Sequence, residues 1–335
     1  MITSESELPQ EAADPAFVLF DVTDPEKITF VDRIRTSGTT ISFASQNELL
    51  FCSEIGCLEI FDVSKLPQIS LVSRFAGTDP GNTIIYEKTE NCLYLSSYQH
   101  GISIVDVKDL HSPTLLGRCN SDISPEPGTN IGPYGISQIE KKGHYIFGVA
   151  MDYMPEKTRE ALYVYDVNDV GTPVKAARLS TTPVKGHGMA IGGNYAFVAG
   201  TYGILSIDIS VPEEPATIGE LAFNSRFGAH AKCDRDRLYV SGEILSTLPT
   251  RRTQNGFFQI FDISNPVHPR LARDILIPIG VVFGFLVKKG FAYLACSNGV
   301  AIVDVRDTSK QGIVSRYYDF DPIKQYIGAA VVEID

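Results

Sequence analysis

The stretch FQIFDISNPVHP, residues 258–269, decides how this chain is read. Its first half, FQIFD, is bulky and mostly apolar, the composition of a buried β-strand. Its second half holds an asparagine and two prolines. An aspartate ending a strand can accept a hydrogen bond from the backbone N–H two residues on, and proline presets the turn and stops further pairing. The stretch therefore reads as a strand that ends sharply and reverses.

The same phrase recurs. Its relatives are FVLFDVTDP (17–25), LEIFDVSKLP (58–67), ISIVDVKDLHSP (102–113), LYVYDVNDVGTP (162–173), LSIDISVPEEP (205–215) and VAIVDVRD (300–307). The seven strand-ending aspartates are Asp21, Asp62, Asp106, Asp166, Asp208, Asp262 and Asp304, at intervals of 41, 44, 60, 42, 54 and 42 residues. Pro113, Pro173, Pro215 and Pro269 each lie seven residues past their aspartate. An apolar run reaching a polar or glycine turn precedes most copies, as in CLYLSSYQHG and YAFVAGTYG, and a glycine-opened run precedes that, as in GNTIIYE and GHGMAIG. A fourth run follows, as in ISLVSRF and VKAARL, and helical periodicity is absent. Four short strands at a period near 42 residues predict an all-β, seven-bladed β-propeller with four-stranded antiparallel blades.

ISIVDV, VAIVDV and LEIFDV, each followed by Asp, Asn or Pro, resemble the LVIVD-repeat family of β-propellers, over residues 17–335. The chain has no tryptophan, unlike WD-repeat blades. The resemblance implies the fold and, often, an extracellular or cell-surface setting; it brings no catalytic motif.

The fold needs its ring closed, since an open sheet edge invites aggregation. The first copy supplies only a third and a fourth strand, and YIGAAVVEID (326–335) reads as an innermost strand, so the two ends are expected to share one blade. The acidic segment 1–16 is expected to be poorly ordered, and 17–335 to form a single domain.

Composition narrows the function. The chain has 335 residues, 44% of them hydrophobic, and a net charge of −11. Its longest apolar run, IGVVFGFLV (279–287), is far short of the roughly 20 residues that span a bilayer. No cluster of Lys and Arg suits nucleic acid. The polar start has no signal-sequence pattern, which points to the cytoplasm; a chain that begins after a removed signal would look the same and be exported. No CxxC pair marks a zinc site among the six cysteines. Cys52 and Cys57 flank a short turn where a disulfide or two free thiols would fit.

Copies of a repeat differ where function sits. The long intervals hold insertions at 120–133, 151–161 and 243–256, which propeller topology sends to one face. The innermost strands open on that face around the central channel, with Tyr134, His187, His230 and Tyr326 at their starts. His187 and His230 belong to adjacent blades, and strand alternation would let only one of them enter the channel. The charges Asp152, Glu156, Lys157, Arg159 and Glu160 read as a solvated loop, while Tyr153, Arg251 and Arg252 are candidate anchors. No phosphate-cradling loop, nucleophile elbow, HExxH or EF-hand pattern is present. Two readings follow. One is a binding module that recognises a protein, peptide or glycan through the insertion face. The other is an enzyme on a small-molecule substrate, with His187 or His230 at the channel mouth as general base or ligand to a metal. No motif indicates a cofactor.

Overall fold

The computed structural model describes residues 1–7, 15–54, 56–77, 83–97, 101–120, 135–151, 160–223, 226–245, 255–307, 312–318 and 324–330; of 2–7, 151 and 324–330 it describes the backbone. Six blades follow one another along the chain at residues 40–76, 84–119, 135–180, 186–222, 226–277 and 282–318, here blades 1 to 6. Each is a four-stranded antiparallel sheet whose strands pair in chain order, from the innermost outward. Seven blades were expected, with the last shared by the two chain ends; the count is corrected to six, and the difference lies at the ring closure. The first repeat copy forms only a two-stranded pair, Ala16–Asp21 with Thr29–Arg35. The chain ends add Ile2–Glu7 and Lys324–Ala330 along the inner edge of that pair. Residues 2–7, expected to belong to a poorly ordered segment, thus form a strand. Its pairing supplies the strand that the first copy lacks.

The packing explains the run of apolar residues in each third strand. Alternate side chains point to the two neighbouring sheets, so both faces of the strand are buried. In blade 5, Phe257 and Phe261 pack with Ala190, Phe197 and Ile204 of blade 4, while Phe258 and Ile260 pack with Val282, Leu294 and Val303 of blade 6. Equivalent clusters fill every gap around the ring, including both sides of the closing sheet.

The aspartates do what the sequence assigns them. In all seven copies the carboxylate accepts the backbone N–H two residues on, at 2.8–2.9 Å: Thr23, Ser64, Lys108, Asn168, Ser210, Ser264 and Arg306. Arg306 also grips Asp304 through its guanidinium and holds that carboxyl down at about 2. Just before each aspartate the register between third and fourth strands shifts, for example between Ile260 and Phe261, so the fourth strand carries a bulge there that adds twist.

Candidate functional site: the insertion face and the channel mouth

Antiparallel order places the connectors between blades, and the turns between second and third strands, on one face. The three insertions depart from that face. Residues 121–134 join Thr114–Cys119 to Gly135–Lys142, 152–159 join Tyr145–Met151 to Ala161–Asp166, and 246–254 join Arg237–Ile244 to Gly256–Asp262. Tyr134, Tyr153, Arg251 and Arg252 lie outside the described residues, as do Asp152, Glu156, Lys157 and Arg159. Tyr326 is in the closing inner strand, with its side chain outside the description. Glu160, expected on a solvated loop, is buried instead. It directly precedes strand Ala161–Asp166, and its carbonyl accepts the Thr181 N–H, which draws it under the next connector.

The two histidines meet at the junction of blades 4 and 5. The innermost strands of blades 4 and 5 each carry a bulge near their start, between Gly186 and Gly188 in blade 4 and between Gly228 and His230 in blade 5. His187 is therefore the bulged residue, equivalent to Ala229, whereas His230 is equivalent to Gly188. That one-residue offset separates their fates. His187 is buried at 7% exposure, with its ring edge-on to Phe227 at 4.9 Å and its Nδ1 donating to the Ala229 carbonyl at 3.1 Å. Burial lowers its pKa. His230 keeps some solvent contact and has no hydrogen-bond partner among the described residues. Desolvation, reinforced by His187 and Lys232, drives its pKa down to about 3. Both rings are neutral near pH 7. A base of such low pKa gives little driving force for proton abstraction.

Two bridges run from blade 3 to blade 5 past blade 4. The Gln138 amide oxygen accepts the Met189 N–H at 3.0 Å, and its NH2 donates to the Ala231 carbonyl at 3.2 Å. The equivalent residue of blade 4 is Gly188. A Cβ there would lie 2.8 Å from both the Ala229 oxygen and the His230 Cα. One pleat further on, Lys232 pairs with Glu140 at 2.7 Å, and blade 4 carries the small Ala190 between them. The inner strands of blades 3, 4 and 5 are thus tied together beside the histidines.

A second polar cluster escaped the sequence reading. In blade 1, Cys52, Glu54, Cys57 and Glu59 share one face, because Glu54 lies opposite Cys57 and Cys52 opposite Glu59. The two cysteines are diagonal and free, and the disulfide left open by the sequence is not formed. Glu54 and Glu59 are buried at 0% and 1% exposure and hydrogen-bond to each other. Glu54 also takes the Gly38 N–H at 3.0 Å and the Cys57 thiol at 3.3 Å. Glu59 holds the Ser37 hydroxyl and the Arg74 guanidinium, the latter at 2.8 Å. Burial and the neighbouring Glu59 push Glu54 up to about 8, so it is the protonated partner, while its donated hydrogen bond, Ser37 and Arg74 hold Glu59 below the usual carboxylate range. The signal was present in LEIFD: its glutamate stands where other copies carry Val18, Ser103, Tyr163, Leu205, Gln259 and Ala301.

Among the described residues no group of three or more His, Cys, Asp or Glu side chains is gathered to hold a metal, and no helix is long and apolar enough to cross a membrane. The architecture is that of a β-propeller, and comparison with known proteins agrees. The LVIVD repeat model matches residues 89–121, 185–222, 253–275 and 280–319, so the chain is a β-propeller carrying LVIVD repeats. No curated protein matches it in sequence. Among solved structures it is similar to a functionally unknown protein from Desulfotomaculum acetoxidans (TM-score 0.67, 11% identity, 99% of this chain and 100% of that one). It is also similar to a putative 6-phosphogluconolactonase from Bacteroides fragilis (0.66, 8%, 98% and 95%) and to Sqt1 from Chaetomium thermophilum (0.63, 13%, 95% and 84%). Likenesses at such identities concern the fold alone.

Proposed function

We propose that the protein is a binding module that takes a protein, peptide or glycan on its insertion face, built on a ring in which the closing sheet counts as the seventh blade. The observation that carries this is the common origin of the three insertions. All depart from the face where the innermost strands begin, and two of them flank blade 4, where the equivalent turn is only Thr201–Tyr202. The chemistry at the channel mouth favours the same reading. His187 spends its Nδ1–H on a backbone carbonyl, and the neutral His230 is too weak a base for efficient proton abstraction. Tyr153, Arg251 and Arg252 are the anchors assigned to this face.

The test is a paired screen of the full chain and an Arg251→Ala/Arg252→Ala variant on glycan and peptide arrays. The expected result is a ligand that the variant loses. Turnover of a small molecule that disappears in His187→Ala or His230→Ala, with no array ligand, would reverse the conclusion in favour of an enzyme.

A further inference from the structure

We propose that the insertion-face end of blade 4 docks an acidic peptide segment of a partner protein, seating a carboxylate on Lys185 and an apolar side chain against the Tyr202 ring. The proposal rests on the reading of this face as the binding face and names the partner's chemistry.

Four observations carry it. First, Tyr202 is 51% exposed at the tip of the turn between the second and third strands of blade 4, and the Lys185 ammonium lies 5.6 Å from its ring centroid. An exposed aromatic beside a cation is the pairing that anchors interfaces. Second, no carboxylate among the described residues pairs with Lys185. Third, the platform is rigid. Among the described residues, four of the five non-glycine residues with positive φ, Asn47, Asn91, Arg235 and Lys289, sit in turns between first and second strands; Lys185, at φ 48°, is the exception. Such strain persists only where the surroundings impose it. Here the Val184 and Lys185 carbonyls accept the Tyr202 and Thr201 N–H groups at 3.1 and 3.4 Å. Those carbonyls occupy the space that a Cβ on Gly200 would fill, at 2.3 and 2.1 Å. The Phe223 N–H ties the Tyr202 carbonyl to the next connector at 2.8 Å. Both anchors are therefore held through their backbones, and their side chains are free for contact. Fourth, residues 170–207 contain no Asp or Glu, yet carry Lys175, Arg178 and Lys185, in a chain of net charge −11. Of these cations only Lys185 stands at the insertion-face end, since Lys175 lies at the opposite end of its strand beside Tyr165 and Arg178 is turned to Tyr163. The acid-free run leaves the connector and most of blade 4 without a carboxylate of their own beside Lys185, which favours an acidic partner there.

The experiment pans a displayed library of random 12-residue peptides on the full chain. The enriched peptides are then measured against wild type, Tyr202→Ala and Lys185→Asn. Asparagine tolerates the left-handed backbone, so that variant removes the charge and keeps the platform; unchanged melting temperatures verify both folds. Enriched peptides are expected to place Asp or Glu next to an aromatic or aliphatic residue. Each variant is expected to weaken them at least tenfold, and added salt to weaken binding to wild type more than to Lys185→Asn. Enrichment of peptides without acids, or binding unchanged in both variants, overturns the proposal. Peptides lost only in the Arg251→Ala/Arg252→Ala variant also overturn it but leave the binding-face reading standing. No enrichment at all overturns it too, and the glycan arm of the earlier screen then decides the broader reading.

Discussion

Replacing Glu54 by glutamine should make the protein more resistant to mild alkali. Glu54 is fully buried, and its carboxyl titrates near 8 where an ordinary glutamate titrates near 4.5. Between those values the folded state holds a proton that the unfolded chain has released. The stability from this group is complete below pH 4.5 and is lost as pH rises towards 8, at about 1.4 kcal/mol per pH unit. Other groups act in the same range. Met1's amine, buried and pushed down to about 5, gives the opposite slope, since the unfolded amine binds a proton that the folded one does not. His187 and His230 also slope the opposite way, but only below about pH 6.5. Glu59, held low, loses its contribution only as pH falls through the carboxylate range. The difference between wild type and Glu54→Gln cancels these shared terms. Glutamine keeps an amide donor for Glu59 and an acceptor for Gly38 and cannot ionise. From pH 6.5 to 8.0 the variant should therefore gain about 1.5 kcal/mol on wild type, somewhat less than 1.5 units at about 1.4 kcal/mol each because the folded carboxyl is half ionised by pH 8. Thermal melts of both proteins at half-unit steps read this as a difference of a few degrees that opens with pH. Parallel melting curves across that range would show that the carboxyl is already ionised in the fold, and the shared-proton account would fail.

Gly188→Ala should lower stability by about 1–3 kcal/mol, because its new Cβ would stand 2.8 Å from the blade 5 backbone; thermal melting checks it. Gln138→Ala leaves the Met189 N–H buried without its partner and should cost about 1–3 kcal/mol, with faster amide exchange at Met189 as the site-specific readout. Wild type should lose stability as pH falls from about 6.5 towards 3, because unfolding lets His187 and His230 take up protons. A His230→Gln variant that keeps the full acid slope would count against that assignment.

The fold was legible because it is written in local chemistry repeated many times. A strand that ends in aspartate needs only its own residues to form the turn, and all seven copies form it. The insertions were legible as breaks in that rhythm, and the topology that sends them to one face followed from four strands per unit. The histidines were legible as neighbours but not in their roles. A single bulge at residue 187 decides that one ring lies between blades and the other keeps solvent contact, and bulges depend on how neighbouring inner strands crowd at the axis.

The carboxyl pair was hidden for a different reason. Glu54 and Glu59 look like ordinary surface acids until strand pairing puts them on one face and the closing sheet covers them. Lys185 and Tyr202 are 17 positions apart, and they meet only because Gly200 lets the connector carbonyls settle on the turn. The sequence by itself therefore determined the repeat, its turns and the face that varies, since each depends on interactions within a few residues. The tertiary structure decided which side chains are buried, neutral, bridged or left free. Those properties arise from contacts between blades, and the distances that set them do not follow from spacing along the chain.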